Sequence, residues 1–359
     1  MSKSFVPLSL PINDNVVNQH SMIHLLIEAN KHIVQYETLL ENTKINKNIF
    51  LNLIIKQEAV QSTKIEGTQV TYEDVLEVEA ESKRTNQDVQ EVLNYYETVM
   101  EAEEVLQQLP ISTRLIRRLH LILMSGNVRG ASRDPGEFRK VQNYIGNRES
   151  ATFIPPAPPV LEYMTNLENS INNPNDSFDE LVRIAIIHAQ FETIPPFLDG
   201  NGRIGRILIP LYLYDKKVIS YPNFFISDTL ERDKHKYYRY LNDTRYKSDW
   251  NQWITFFLNA VNTQAKKNIT LIKDINILYE ETLQAAQKLI NSSNINQVIT
   301  AIFVTPVFRA NTISKNTDVS IATIRRYLTI LEENKIIFSN ARQRNKTYYF
   351  YELLDVIRG

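Results

Sequence analysis

The chain has no cysteine in 359 residues, which excludes disulfides and thiolate metal sites and fits a reducing cytoplasm. No apolar run reaches the roughly eighteen residues of a membrane-spanning helix. None of signal-peptide length opens the chain, so no membrane association is expected. Neither sign of charge is in excess: 40 Lys and Arg face 41 Asp and Glu, a net charge of -1, so the whole protein is no generic nucleic-acid binder. There is no fixed-period repeat and no low-complexity segment. Glycine is scarce, nine in all, which makes Gly200 and Gly202 a local signal. What is present is a hydrophobic content of 43%, enough for a sizeable core, over a length that suits two or three domains.

That local signal sits in Phe197-Leu-Asp-Gly-Asn-Gly-Arg-Ile-Gly-Arg206, a turn opening an apolar helix from Ile204 to Tyr214. Gly200 and Gly202 let the backbone take positive φ and approach a ligand closely. A helix start leaves N–H groups unpaired and carries partial positive charge, so it binds phosphate. Arg203 and Arg206 are three apart and share a helical face. Asp199 supplies a hard oxygen, as a Mg²⁺–phosphate complex requires. Acid, Gly-Asn-Gly and two arginines in register point to a nucleotide phosphate site.

The surroundings read as mainly helical. Residues 1–20 are extended, broken by Pro7 and Pro11. Helical periodicity covers Met22 to Leu40 and about Lys47 to Ile65, the latter stopped by Gly67. Thr71 and Asp74 form a capping-box pattern, Val89 to Met100 marks another helix, and Ser112 caps one ending near Gly126. Short β-type stretches at 141–145 and 152–154 flank Gly146-Asn147-Arg148, a hairpin followed by the stiff Pro155–Pro159 run, which reads as a rigid spacer. Helices then start at about Val160 and at Phe178, the second capped by Ser177 or Asp176 and running to Glu192. Two more span Asp228 to Tyr246 and Asp249 to about Lys288. Trp250 and Trp253 read as core. After the Asn291-Ser-Ser-Asn linker come helices at Ile295–Val304, around Ile313 and over Ser320–Glu333, then β-rich stretches at Ile336–Ser339 and Thr347–Tyr351. That order is a helix-turn-helix with a wing.

His188-Ala-Gln-Phe-Glu-Thr-Ile-Pro-Pro-Phe-Leu-Asp-Gly-Asn-Gly-Arg-Ile-Gly-Arg206 resembles the signature of the Fic (Fido) family, mostly AMP transferases acting on Ser, Thr or Tyr hydroxyls. Gly136-Glu-Phe-Arg-Lys-Val-Gln-Asn-Tyr-Ile-Gly146 through Pro159 is similar to its flap, and Ser62-Thr-Lys-Ile-Glu-Gly67 resembles its inhibitory motif. The resemblance covers roughly residues 10–260. It implies a helical core with a β-hairpin flap, ATP and Mg²⁺ as cofactors, and cytoplasmic location. Residues 1–110 would be an N-terminal helical extension, 111–260 the core, 261–290 a connecting helix and 291–359 a winged helix.

By the same resemblance Asp199 would hold Mg²⁺, and Asn201, Gly202, Arg203, Gly205 and Arg206 would bind the nucleotide, with Tyr237 and Tyr238 on the adenine side. Phe197 would anchor the loop. The flap at 141–154 would hold a target protein's hydroxyl-bearing segment by main-chain pairing. Glu66, helped by Ser62 and Gly67, would pair with Arg206 and occupy the place of the γ-phosphate.

One position departs from the family. Its His-Pro-Phe is here Pro195-Pro196-Phe197, and the missing histidine is the general base. Such a base is worth about 10²–10⁴ in rate. Nucleotide binding is therefore expected to survive better than transfer. Pro195 is read first as marking a natural degenerate member, with an exchanged residue or another chemistry as the alternatives. His188 reads as a buried structural residue. A non-catalytic core serving as the nucleotide sensor of a DNA-binding regulator is the competing function.

The C-terminal region carries Arg325 and Arg326 on its second helix and Arg342, Arg344 and Lys346 at the wing tip, against Glu332 and Glu333. Residues 311–350 are thus a candidate DNA contact. A packing or homodimerisation module with solvated charges is the alternative.

Overall fold

A computed structural model describes residues 4–13, 15–43, 45–81, 85–147, 150–340, 342 and 344–359. The architecture is mainly α, with two small antiparallel sheets among the described residues.

After an extended start and a 3₁₀ turn at Gln19–Met22, α1 (Ile23–Glu41) buries Leu26, Ala29, Ile33, Tyr36 and Leu40, one stripe at helical spacing. α2 (Lys47–Ile65) is capped by Asn46, whose side chain accepts from the Asn48 amide. It stops where the sequence predicts. Gly67 takes φ 102°, and the Thr68 amide reaches back to the Thr63 carbonyl at 3.3 Å, a Schellman close. α3 (Tyr72–Glu81) opens on the reciprocal box: the Asp74 amide donates to Thr71 Oγ1 at 3.2 Å and the Thr71 amide to Asp74 Oδ2 at 2.9 Å. α4 (Gln87–Leu106) and α5 (Thr113–Leu123) follow, the latter capped by Ser112.

The flap is β1 (Ile145–Asn147) paired with β2 (Ser150–Phe153), Ile145 opposite Phe153. Arg148, expected in its turn, lies outside the described residues. α6 (Leu161–Asn172) leads to α7 (Glu180–Thr193), buried almost all round from Leu181 to Phe191, as a central helix must be. Its cap is Asp179 rather than Ser177 or Asp176. Asp179 has extended backbone and accepts from the Leu181 amide, whereas Asp176 binds the Phe178 amide and Arg183.

α8 (Asn201–Asp215) starts three residues before the expected Ile204, because Gly200 at φ 72° turns the chain directly into it. The helix expected over Asp228–Tyr246 is two, α9 (Ser227–Arg232) and α10 (Lys234–Lys247), broken at Asp233. α11 (Trp250–Leu289) is one 40-residue helix that packs along α1 and buries Trp250 and Trp253.

The C-terminal region holds α12 (Asn294–Val304), β3 (Val307–Phe308), α13 (Ala310–Lys315), α14 (Ile321–Glu333), β4 (Phe338–Ser339) and β5 (Tyr348–Tyr349), in sheet order β3-β5-β4. The β-rich stretches do not end it. α15 (Tyr351–Arg358) follows, buries Leu353, Leu354 and Ile357, and packs on α11. The region also rests on α3. Glu81 pairs with Arg342 at 3.3 Å and accepts from Thr347 at 3.0 Å, Glu77 accepts from Tyr349 at 2.9 Å, and Glu73 pairs with Arg358 at 2.6 Å.

Candidate active site

The loop before α8 is closed on itself. Asn201 accepts from the Phe197 amide at 2.8 Å and donates to the Phe197 carbonyl at 2.9 Å. Phe197 is fully buried and stacks on His120, centroids 3.7 Å apart and planes 1° from parallel. The Gly136 amide donates to His120 Nδ1 at 2.8 Å, so the ring proton is on Nε2, which donates to the Asp199 carbonyl at 3.0 Å. Burial pushes the His120 pKa down to about 4, so the ring is neutral at pH 7. His120 thereby ties α5, the base of the flap and the loop together. Nothing in the local sequence marks it; its partners lie 16 and 79 residues away.

Asp199 Oδ1 accepts from the Gly200 amide at 2.8 Å, and Oδ2 faces Arg133 at 3.4 Å. Its side chain is a third exposed. Gly130, at φ 78°, comes so close that a Cβ there would lie 2.6 Å from Asp199 Oδ2. No group of three or more His, Cys, Asp or Glu converges on a metal-sized site among the described residues. One carboxylate suits a cation that keeps several waters and takes the rest of its ligands from phosphate, as Mg²⁺ does. α8 carries no side-chain cap at Gly200, so the amides of its first turn are left for an anion.

Both signature arginines are held by carboxylates from the N-terminal extension. Arg206 donates from Nε to Ser62 Oγ at 2.8 Å, and from Nη2 to the Ser62 carbonyl at 2.9 Å and Glu66 Oε1 at 2.7 Å. Glu66 is the C-cap of α2, so the Gly67 turn fixes where its carboxylate goes. It goes to the first turn of α8: a Cβ on Gly202 would lie 2.4 Å from Glu66 Oε1. Burial pushes the Glu66 carboxyl up, but Arg206, with Arg203 and Lys234, outweighs it and holds the group below the usual carboxylate range.

Arg203 is buried and faces Glu91 of α4 at 3.2 Å. Glu91 also accepts from the Arg129 amide at 3.1 Å and from its Nε and Nη2 at 2.7 and 3.0 Å. Sequence reasoning missed this pairing, since Glu91 lies 112 residues from Arg203. It also missed Arg139, a buried guanidinium that binds the carbonyls of Ile194, Pro195 and Pro156 and so ties the flap to the loop.

Pro195 is buried and offers only that carbonyl. His188 lies between the Gly205 carbonyl (Nδ1, 3.0 Å) and the Tyr237 hydroxyl (Nε2, 2.9 Å), and burial pushes its pKa down to about 3. Both nitrogens are committed, in keeping with a structural histidine. Tyr237 is fully buried in this network and Tyr238 half-exposed beside it, ring centroids 5.0 Å apart. Gly205 faces α7, where a Cβ would meet Glu192 Oε1 at 2.3 Å and Phe191 Cδ1 at 3.1 Å. Burial raises the Glu192 carboxyl to about 7.

Two family models match the chain: "Fic/DOC family N-terminal" over residues 23–104 and "Fic/DOC family" over residues 110–213. The "Probable protein adenylyltransferase aq_aa38" of Aquifex aeolicus is 28% identical over 173 residues, 48% of this chain and 51% of that protein. The "Protein adenylyltransferase Fic" of Aedes aegypti is 28% identical over 163 residues, 44% of this chain and 30% of that one. The matches thus take in about half, or less, of the curated relatives' length. Among solved structures, a Fic family protein from Desulfovibrio desulfuricans superposes with a TM-score of 0.60 over 96% of this chain and 98% of that one, at 22% identity, a likeness of fold.

Proposed function

Because the chain belongs to the Fic/DOC family, we propose that it is a protein adenylyltransferase core that binds ATP with Mg²⁺, is held off by Glu66, and lacks at Pro195 the base that transfer needs. The observation that carries this reading is the Glu66 carboxylate. It lies against Gly202 at the uncapped start of α8 and on Arg206, where an anion belongs.

A triphosphate would enter by displacing that carboxylate. Its oxygens would take the first-turn amides of α8 and the guanidinium of Arg206. Asp199 would hold the Mg²⁺, which supplies charge neutralisation to the leaving pyrophosphate. A target hydroxyl, laid along the flap, would attack the α-phosphorus. The new O–P bond forms as the bond to the bridging oxygen breaks, and the hydroxyl proton must leave. Pro195 cannot take it and His188 has no free nitrogen. Binding without efficient transfer follows.

The test is labelling with radioactive ATP of the protein as it stands, of Pro195→His, and of Pro195→His with Glu66→Gly. Little label, a modest rise and strong self-labelling are expected. Equal labelling in all three would remove the role given to position 195.

A second reading concerns the C-terminal region, which we propose is a winged helix-turn-helix that contacts DNA. Its support is α14, capped by Ser320, with Arg325 and Arg326 exposed in its first turns. The wing's Arg342 and Lys346 are instead paired with Glu81 and Glu332. Affinity for mixed duplex DNA that falls with salt, and falls further in Arg325→Ala/Arg326→Ala, would support it. Undetectable binding at low salt would end it.

A further inference from the structure

Against α2 lies a cavity of about 600 Å³ bounded by α2, α9, α11 and α15. That is the size of a small-molecule site. Its walls include Leu53, Ile54, Phe225, Leu271 and Val356. Four cations also line it, of which Arg358 is paired with Glu73 and Asp355 outside the cavity. Arg232 and Lys267 share the single carboxylate of Asp228, and Lys266 has no ion-pair partner among the described residues. Glu58 and Asp274 are the other acids of the lining, and Glu58 is engaged by Tyr95 and Ser227, which leaves Lys266 as the cation open to a ligand. Gln57 Oε1, also at the wall, is buried with no hydrogen-bond partner.

We propose that this cavity is an effector site for an anionic amphiphile, its apolar tail against α2 and its carboxylate or phosphate head at Lys266, Lys267 and Arg232. The cavity and the Arg206 contact share one helix, α2. Gln57, Glu58 and Gln61 line the cavity, while the adjacent Ser62 and, a turn beyond it, Glu66 hold Arg206. Glu58 ties that stretch to its neighbours by accepting from the Tyr95 hydroxyl at 2.9 Å and from Ser227. The cavity exists with Glu66 on Arg206. A ligand that fits it selects that state, so it strengthens the hold and weakens ATP binding, and ATP weakens the ligand in equal measure. Ligand binding stands independently; only the coupling rests on the reading of Glu66 given above.

The test uses dodecanoate, dodecyl phosphate and dodecyltrimethylammonium below their micellar concentrations, with the full chain, by calorimetry. Saturable one-to-one binding of the two anions but not of the cation is expected, and their order distinguishes a carboxylate from a phosphate ligand. Lys266→Glu, an exposed change, should weaken the anions at least about tenfold, and Thr270→Trp, which fills the cavity from an exposed position, should abolish binding. Absence of saturable binding, or equal binding of the cation, overturns the site. In the second arm, saturating dodecanoate should weaken ATP binding about five- to tenfold in the wild type and leave Glu66→Gly unchanged. If dodecanoate binds and ATP affinity does not move in the wild type, the coupling is overturned and the site stands. If Glu66→Gly binds ATP no better than wild type, the reading of Glu66 is what fails.

Discussion

Removing the charge of Glu66 should tighten ATP binding by an amount the contact itself sets. The Glu66–Arg206 bond is 2.7 Å, and Arg206 is 1% exposed while Glu66 is 33% exposed. A charge-assisted hydrogen bond contributes about 1.5–3 kcal/mol, and the exposed third of Glu66 lets water screen it toward about 1–2 kcal/mol. The same carboxylate sits at the start of α8, where the helix dipole adds roughly 0.3–1 kcal/mol. ATP must displace both contacts. Glu66→Gln keeps the shape and loses the charge, so affinity should rise about 5- to 10-fold; Glu66→Gly loses both contacts and should gain about 10- to 150-fold. Neither should unfold the protein, because Arg206 keeps Ser62 Oγ and the Ser62 carbonyl. Titration of Mg²⁺–ATP into the three proteins reads this directly. Equal affinities, or the order reversed, would refute the competition, and so would a variant that denatures below about 40 °C.

Three further outcomes follow from the same packing. Gly130→Ala puts a Cβ 2.6 Å from Asp199 Oδ2 at φ 78°, so it should cost about 1–3 kcal/mol in denaturant melts and weaken the Mg²⁺ dependence of ATP binding. His188 takes a proton below about 6.5 when unfolded but only below about 3 when folded, so stability falls as pH drops through that window. Between pH 7 and 5 the wild type should lose about 2 kcal/mol more than His188→Gln does. Glu81→Lys sets a cation against Arg342 and Arg309 and removes the acceptor of Thr347, so the C-terminal region should become separable by limited proteolysis near residues 291–294.

The elements that read cleanly from sequence were those with local causes. The Thr71–Asp74 box, the Ser112 cap and the Gly67 stop each need only a few neighbouring residues, and each is where the spacing puts it. The short-lever expectations failed where a nearby competitor won. Asp179 displaced Asp176 as the cap of α7, and one break at Asp233 divided a helix that periodicity made continuous. α15 was missed because Tyr348, Tyr349 and Phe350 give a β signal that runs straight into its first turn. In the site, the phosphate-facing turn was legible because its residues are consecutive. His120, Glu91, Arg129 and Arg139 were not, because each earns its place only through contacts dozens of residues away.

Position 195 can bear a histidine for a structural reason. The loop's ties at this point run through carbonyls: those of Ile194 and Pro195 accept from the Arg139 guanidinium, and that of Pro196 accepts from the Arg139 amide at 2.9 Å. Carbonyls do not depend on side-chain identity, so a histidine leaves this clamp intact. Loss of the proline adds freedom to the unfolded chain, about 0.4–1 kcal/mol, and the larger imidazole must fit a buried position. Phe197, which anchors the loop on His120, and Asn201, which closes it, are untouched. Pro195→His should therefore melt within about 8 °C of the wild type and bind ATP equally well. Any change in labelling then reports proton transfer rather than folding. A large loss of stability would show that proline itself sets the loop's path.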